Sequence, residues 1–186
     1  MSRNSKHVLI TGPPGVGKTT LIKKVYNALK DNNVSVNGFY TEELRDNSNK
    51  RNGFDIVSLD GKRERLSRTM ECLKPNDLKR FRVGQYYVFP RSFELIALPL
   101  FAEPKNGVLV LDEIGKMELF SSKFQIEVKE AFKRTDISIL ATVPVLRGAS
   151  IPLVESLITN PNYNLITVDR TNRNNLVNEI VTYLTS

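Results

Sequence analysis

Residues 12–19 read Gly-Pro-Pro-Gly-Val-Gly-Lys-Thr and fill every fixed position of the pattern G-x-x-x-x-G-K-[ST]. The flanks constrain the fold further. The apolar, β-branched run 7–11 (HVLIT) stops at Gly12, and 18–30 carries Leu21, Ile22, Val25, Ala28 and Leu29 at helical spacing. A strand that ends in glycines and restarts as a helix builds an anion cradle. Gly12, Gly15 and Gly17 let the backbone curl without a Cβ in the way, and Pro13, Pro14 and Val16 complete the loop. The N–H groups point inward, and the helix adds its positive end. Lys18 is placed to reach β- and γ-phosphates, Thr19 to meet Mg²⁺, and Thr20 to flank the nest.

A second stretch supplies the partner to that loop. Val108-Leu-Val-Leu111 is a fully apolar strand that runs into Asp112, Glu113, Ile114, Gly115 and Lys116. Two adjacent acids repel, so an ordinary strand end has no need of both. A phosphate loop does need an acid on a neighbouring strand to hold Mg²⁺, and Asp112 fits. The cation relieves the repulsion by claiming one carboxylate, which leaves Glu113 to polarise water. Lys116, read as about one helical turn beyond Asp112, could reach back as an internal cation. Thr142 ends the next apolar strand and could sense the γ-phosphate or the water.

Along the rest of the chain, strands are expected at 36–44, 54–59, 107–113, 137–143 and 163–169. Helices are expected at 92–103 (Ser92 as N-cap, Pro99 as a break), 122–133, 152–158 and 172–184. Buried strands that alternate with helices call for a mostly parallel sheet covered on both faces. The 186 residues suit one domain, 1–186, with a basic, β-rich insertion at about 46–88 beside the main sheet. Residues 50–82 hold ten Lys/Arg against five acids, most of the chain's net +7. Such a balance favours polyanionic partners. The single cysteine, Cys72, excludes an internal disulfide, and the single histidine, His7, excludes a His-based triad or metal site. No secretory signal or membrane-length apolar run appears, so a cytoplasmic chain without a membrane partner is expected.

In order, the stretches GPPGVGKTTLIKK, GFYTEELR, GFDIVSLDG, RVGQY, SFELIALP, DEIGKMELFS and ILATVPV run through the chain. Together, over about 7–180, they resemble the cancer-related nucleoside-triphosphatase family, small P-loop enzymes of eukaryotes and thermophilic prokaryotes. The resemblance implies an α/β P-loop NTPase fold of the RecA-like additional-strand type. It also implies slow, Mg²⁺-dependent hydrolysis of nucleoside triphosphates (ATP, GTP, CTP, UTP) to NDP and phosphate, with loose base preference. The family's catalytic glutamate and lysine match Glu113 and Lys116 here. The match is weaker at 46–52 and 60–80.

Arg45, Arg68, Arg82, Gln85 and Arg91 are candidates to line the nucleotide cleft, with Tyr40 and Glu42 on the same edge. Base contacts are expected from late loops around Arg147, Thr171 and Asn172. A cis-acting Lys116 makes an arginine from a neighbouring copy unnecessary, so a monomer is expected. Two alternatives use the same loop. One is a nucleoside or nucleotide kinase with 50–82 as its lid. The other, less favoured, is a nucleotide-switched RNA-binding module that stacks bases on Phe81, Tyr86 and Tyr87.

Overall fold

The computed structural model describes residues 6–102, 106–146, 148 and 150–186. Among them, nine strands form one sheet in the order β5-β6-β4-β3-β2-β7-β8-β1-β9. The parallel half contains β1 (His7–Thr11), β2 (Val36–Arg45), β7 (Val108–Asp112), β8 (Ser138–Thr142) and β9 (Asn164–Thr167). The antiparallel half contains β3 (Arg51–Ser58), β4 (Arg63–Thr69), β5 (Phe81–Val83) and β6 (Tyr86–Val88).

Strand alternation sorts the core into two layers. Leu9, Leu109, Leu111, Ile139 and Ala141 face α2 (Pro90–Ala97), α3 (Ser122–Ala131) and α4 (Pro152–Ile158). Val8, Ile10, Val108, Val110 and Leu140 face α1 (Lys18–Asp31) and α5 (Leu176–Thr185). The first layer is aromatic at its centre. Phe93 and Phe124 meet edge to face at 4.9 Å, and Phe39 joins both. Gly38 lets β2 come close to β7: at φ 136°, a Cβ there would stand 2.0 Å from the Val110 carbonyl oxygen.

The basic segment does not stand beside the sheet. Its strands continue the sheet, because β2 runs past its parallel partner and pairs antiparallel with β3. Other expectations shift in detail. Ser92 is not a cap: α2 starts at Pro90, whose missing N–H suits a first helical position, after Phe89. Pro99 falls where the α-helix gives way to a 3₁₀ turn at Leu98–Ala102. The serine that does cap is Ser121, whose Oγ accepts from the Phe124 N–H at 3.0 Å. The last helix begins at Leu176, because 172–175 form a hydrogen-bonded turn. Ile126 is 59% exposed and lies outside the core. His7 is structural: its Nδ1 accepts from the Ile139 N–H, and its ring packs against Phe132 and Tyr163. Among the described residues, no helix is long and apolar enough to cross a membrane.

Candidate active site

The loop after β1 has the backbone its sequence demands. Gly12, Gly15 and Gly17 have φ of 153°, 73° and 107°. A Cβ on Gly12 would meet the Val168 carbonyl oxygen at 2.5 Å, so this position is closed to any side chain. Gly17 is the left-handed residue immediately before α1, and the Leu21 N–H is bonded back to it at 2.9 Å. The N–H groups of Lys18, Thr19 and Thr20 precede the first intrahelical bond and have no helical acceptor. The Lys18 ammonium rests on the Gly12 carbonyl at 2.9 Å, folded over its own loop.

β7 lies beyond β8 from β1, and the carboxylate of its last residue, Asp112, interacts with Thr19 and Lys18 of this loop. Asp112 is 1% exposed. Its Oδ1 accepts from the Thr142 hydroxyl at 2.5 Å, which makes Thr142 the residue that orients Asp112. Its Oδ2 is buried without a hydrogen-bond partner among the described residues. Burial raises the Asp112 pKa, while the hydroxyls of Thr142 and Thr19, the Lys18 charge and the Thr41 N–H oppose the rise. A buried carboxylate oxygen with an open lone pair, next to a threonine hydroxyl, suits a hard divalent cation.

The chain then turns sharply through a cis peptide between Asp112 and Glu113. Ile114 anchors the turn, donating its N–H to the Thr142 carbonyl at 2.9 Å and burying its side chain. Glu113 is half-buried. Burial pushes its pKa up to about 7; Lys18 opposes the shift and Asp112 adds to it. At Gly115 a Cβ would lie 2.6 Å from Glu113 Oε1 and 3.0 Å from Glu118 Oε2, so a side chain there would push the two carboxylates aside.

Glu118 is the residue that sequence reasoning missed. It is 5% exposed, and its Oε2 accepts from the Gly115 N–H at 3.1 Å. Burial and the neighbouring Glu113 push its pKa up to about 8. Nothing in KMEL distinguishes it from a surface glutamate. Only the turn folds it back under Glu113. Lys116 is exposed and lies in a turn, not on a helix turn above Asp112.

Most of the other expected cleft residues are occupied elsewhere. Glu42 pairs with Arg63 and lies 3.9 Å from Lys23, which in turn stands over the Tyr40 ring at 4.0 Å. Arg45 pairs with Glu43, and Arg68 bonds Asp55, the Phe54 carbonyl and the Ser67 carbonyl. Arg65 holds Asp77 through two bonds of 2.9 and 2.7 Å. Arg82 donates to the Gly84 carbonyl, Gln85 bonds the Tyr86 hydroxyl, and Arg91 is exposed. Six of the ten basic residues of 50–82, Lys50, Arg51, Lys62, Arg63, Arg65 and Arg68, thus pair with acids, and the segment keeps its net positive charge.

Of the late-loop residues, Arg147 lies outside the described residues. Thr171 and Asn172 close a turn on Asp169: the Thr171 N–H, the Thr171 hydroxyl and the Asn172 N–H all converge on Asp169 Oδ1. Arg173, next in the chain, reaches the phosphate loop, donating to the Val16 carbonyl at 3.2 Å. Between this loop and α1 is a pocket of about 260 Å³ lined by Gly17, Thr20, Leu21, Lys24, Arg173 and Asn174.

Comparison with known proteins agrees with this geometry. A family model described as NTPase matches residues 7–181. The chain is 46% identical to the human "Cancer-related nucleoside-triphosphatase", over 98% of both chains. It is 41% identical to "Nucleoside-triphosphatase THEP1" of Thermotoga sp. (strain RQ2), over 95% of this chain and 94% of that one. The solution structure of a human cancer-related nucleoside triphosphatase superposes with a TM-score of 0.83 at 43% identity, over 97% of this chain and 98% of that one. The crystal structure of THEP1 from Aquifex aeolicus superposes equally well, with a TM-score of 0.83 at 33% identity, over 97% of this chain and 99% of that one. A phosphate loop facing a buried aspartate and a glutamate, on a matching sheet and over nearly the whole chain, places this protein in the P-loop nucleoside-triphosphatase family.

Proposed function

We propose that this protein hydrolyses nucleoside triphosphates to the diphosphate and phosphate, slowly, with Mg²⁺ as its cation and with loose base preference. The observation that carries this reading is the buried Asp112, oriented by Thr142 and with its Oδ2 unpartnered among the described residues, opposite the phosphate loop, with Glu113 next in the chain and its pKa raised to about 7 by burial. A general base works best with a pKa near the working pH.

The reading assigns the chain's own groups as follows. The loop N–H groups and the start of α1 hold the phosphates. Lys18 leaves the Gly12 carbonyl for the β- and γ-oxygens, where its charge counts most as the γ-phosphoryl transfers. Thr19 and the free oxygen of Asp112 would hold Mg²⁺, with Thr142 fixing the carboxylate. When bound, the ion supplies shielding of the charge shared between β- and γ-phosphates. Glu113 orients a water and takes its proton as the oxygen attacks phosphorus. Lys116 swings in from solvent to stabilise the developing charge. A cation without a fixed position must be organised at each turnover, and this agrees with slow catalysis.

The kinase and RNA-binding alternatives both need free cations in 50–82. The pairing of Arg51, Arg63, Arg65 and Arg68 with acids reduces that supply and favours the hydrolase reading. The test is phosphate release from ATP, GTP, CTP and UTP, with Mg²⁺ or EDTA, and with nucleoside or nucleotide acceptors added. The expected result is cation-dependent phosphate release from all four without transfer to an acceptor. Phosphorylated acceptor, with no release in its absence, would replace the hydrolase reading with a kinase.

A further inference from the structure

We propose that Glu118 is a positioning residue for hydrolysis: its carboxyl, fixed beneath the turn that follows β7, holds the Glu113 carboxylate in the orientation from which it meets water. The proposal deepens the triphosphatase reading and rests on it.

Two observations carry it. First, the two carboxyls share one small space. Glu113 Oε1 and Glu118 Oε2 lie 2.6 and 3.0 Å from the point where a Gly115 Cβ would stand. The side chain that Gly115 lacks is what lets them meet there. Glu118 is 5% exposed, and the charged groups around it are the carboxylates of Glu113 and Asp112. Among the described residues, no lysine or arginine pairs with it. Two carboxylates at such a distance do not both stay ionised without a cation between them. Burial and Glu113 push the Glu118 pKa up to about 8, which leaves its carboxyl mostly neutral at pH 7. A neutral carboxyl keeps an O–H to donate, and a carboxylate beside it is a strong acceptor.

Second, Glu118 is anchored and Glu113 is not. Glu118 opens the 3₁₀ turn Glu118–Phe120. Its Oε2 accepts from the Gly115 N–H at 3.1 Å, and the Leu119 N–H returns to the Gly115 carbonyl at 3.0 Å. The Ser121 N–H donates to the Glu118 carbonyl at 3.0 Å. The Ser121 hydroxyl, which caps α3, donates in turn to Glu94 on α2 at 2.7 Å. Loop, turn and two helices therefore fix the Glu118 carboxyl. Glu113, by contrast, makes no hydrogen bond or ion pair among the described residues.

A general base must keep a lone pair aimed at water, and an untethered glutamate divides its time among several rotamers. An O–H donated from Glu118 occupies one Glu113 oxygen and leaves the other to face the phosphate loop. Catalytic side chains hold their geometry to within about 0.5 Å only when the residues behind them are locked. Glu118 is that locked residue here.

The experiment measures kcat and KM for Mg²⁺–ATP, ATP affinity by calorimetry, and thermal unfolding. The variants are Glu118→Met, Glu118→Asp and Glu118→Gln, each alone and combined with Glu113→Gln. Glu118→Met keeps the length but has no O–H, and Glu118→Asp keeps the carboxyl but is one methylene too short. Glu118→Gln keeps an acceptor for the Gly115 N–H and a donor for Glu113. Glu118→Met and Glu118→Asp are expected to lower kcat about 10–100-fold at unchanged KM and ATP affinity, and Glu118→Gln to recover most of that rate. Combined with Glu113→Gln they should cost nothing further, because the base they serve is gone. Rates within a few-fold of wild type for both Glu118→Met and Glu118→Asp would overturn the proposal and leave Glu118 as a filler of space. A full further loss in the Glu113→Gln background would overturn it too, since Glu118 would then act through another group. So would a Glu118→Gln rate as low as that of Glu118→Met, which would put the Glu118 proton itself into the reaction. If Glu113→Gln alone releases phosphate as fast as the wild type, the role of Glu113 in the triphosphatase reading fails instead.

Discussion

Replacing Glu118 with glutamine should change how stability depends on pH. Glu118 is 5% exposed, and burial together with Glu113 lifts its carboxyl from 4.5 to about 8. The folded state therefore holds this proton more tightly than the unfolded chain does. The stability it contributes is fully present below 4.5 and is lost as pH rises through about 8. That interval corresponds to a loss of at most about 5 kcal/mol between pH 4.5 and pH 9, at 1.36 kcal/mol per pH unit. Glu118→Gln keeps an oxygen to accept the Gly115 N–H and removes the charge. The assay is urea unfolding of wild type and variant in EDTA, followed by circular dichroism from pH 5 to 9. The wild type should lose about 3–5 kcal/mol more than the variant over that range, with the two nearly equal at pH 5. Parallel pH profiles would refute the reasoning, because they would mean Glu118 meets solvent or a compensating charge when it ionises.

Other outcomes follow from the same geometry. Gly38→Ala puts a Cβ 2.0 Å from the Val110 carbonyl and should separate β2 from β7, costing about 3 kcal/mol or more in a thermal melt. Burial lowers the His7 pKa to about 4, so stability present above 6.5 is lost as pH falls through about 4. His7→Gln should flatten that loss, which acid titration of unfolding would show as a difference of at most about 3 kcal/mol. Thr142→Val removes the donor that fixes Asp112 and should weaken Mg²⁺ affinity of the nucleotide complex about ten-fold by calorimetry, with nucleotide affinity in EDTA unchanged.

The parallel half of the molecule was legible because local signals and tertiary demands coincide there. Val8-Leu-Ile10 and Val108-Leu-Val-Leu111 are buried on both faces, so these β-branched and apolar runs carry no polar interruptions. The phosphate loop was legible because Gly12 has no room for a side chain and Gly15 and Gly17 hold positive φ that favours glycine. Ser92 misled because it offers a hydroxyl close to a helix start, whereas Pro90 two residues earlier sets the first turn by its ring. The basic segment misled in another way. Charge counts do not reveal pairing across strands, and Asp55 takes two arginines that lie 8 and 13 residues away in sequence. Glu118 and Arg173 reach the site through turns, where no periodicity signals which way a side chain faces. A glutamate three residues beyond Gly115 and an arginine after a run of turn formers have ordinary surface explanations until the backbone is known.

The central claim is that Glu113 activates water. The most direct test is single-turnover hydrolysis of Mg²⁺–ATP in ¹⁸O-labelled water by wild type and Glu113→Gln, with ATP affinity measured alongside. The claim predicts one labelled oxygen per phosphate released by the wild type. It also predicts a rate about 10²–10⁴ lower for the variant at nearly unchanged affinity. A variant rate within a few-fold of wild type, or unlabelled phosphate, would contradict it.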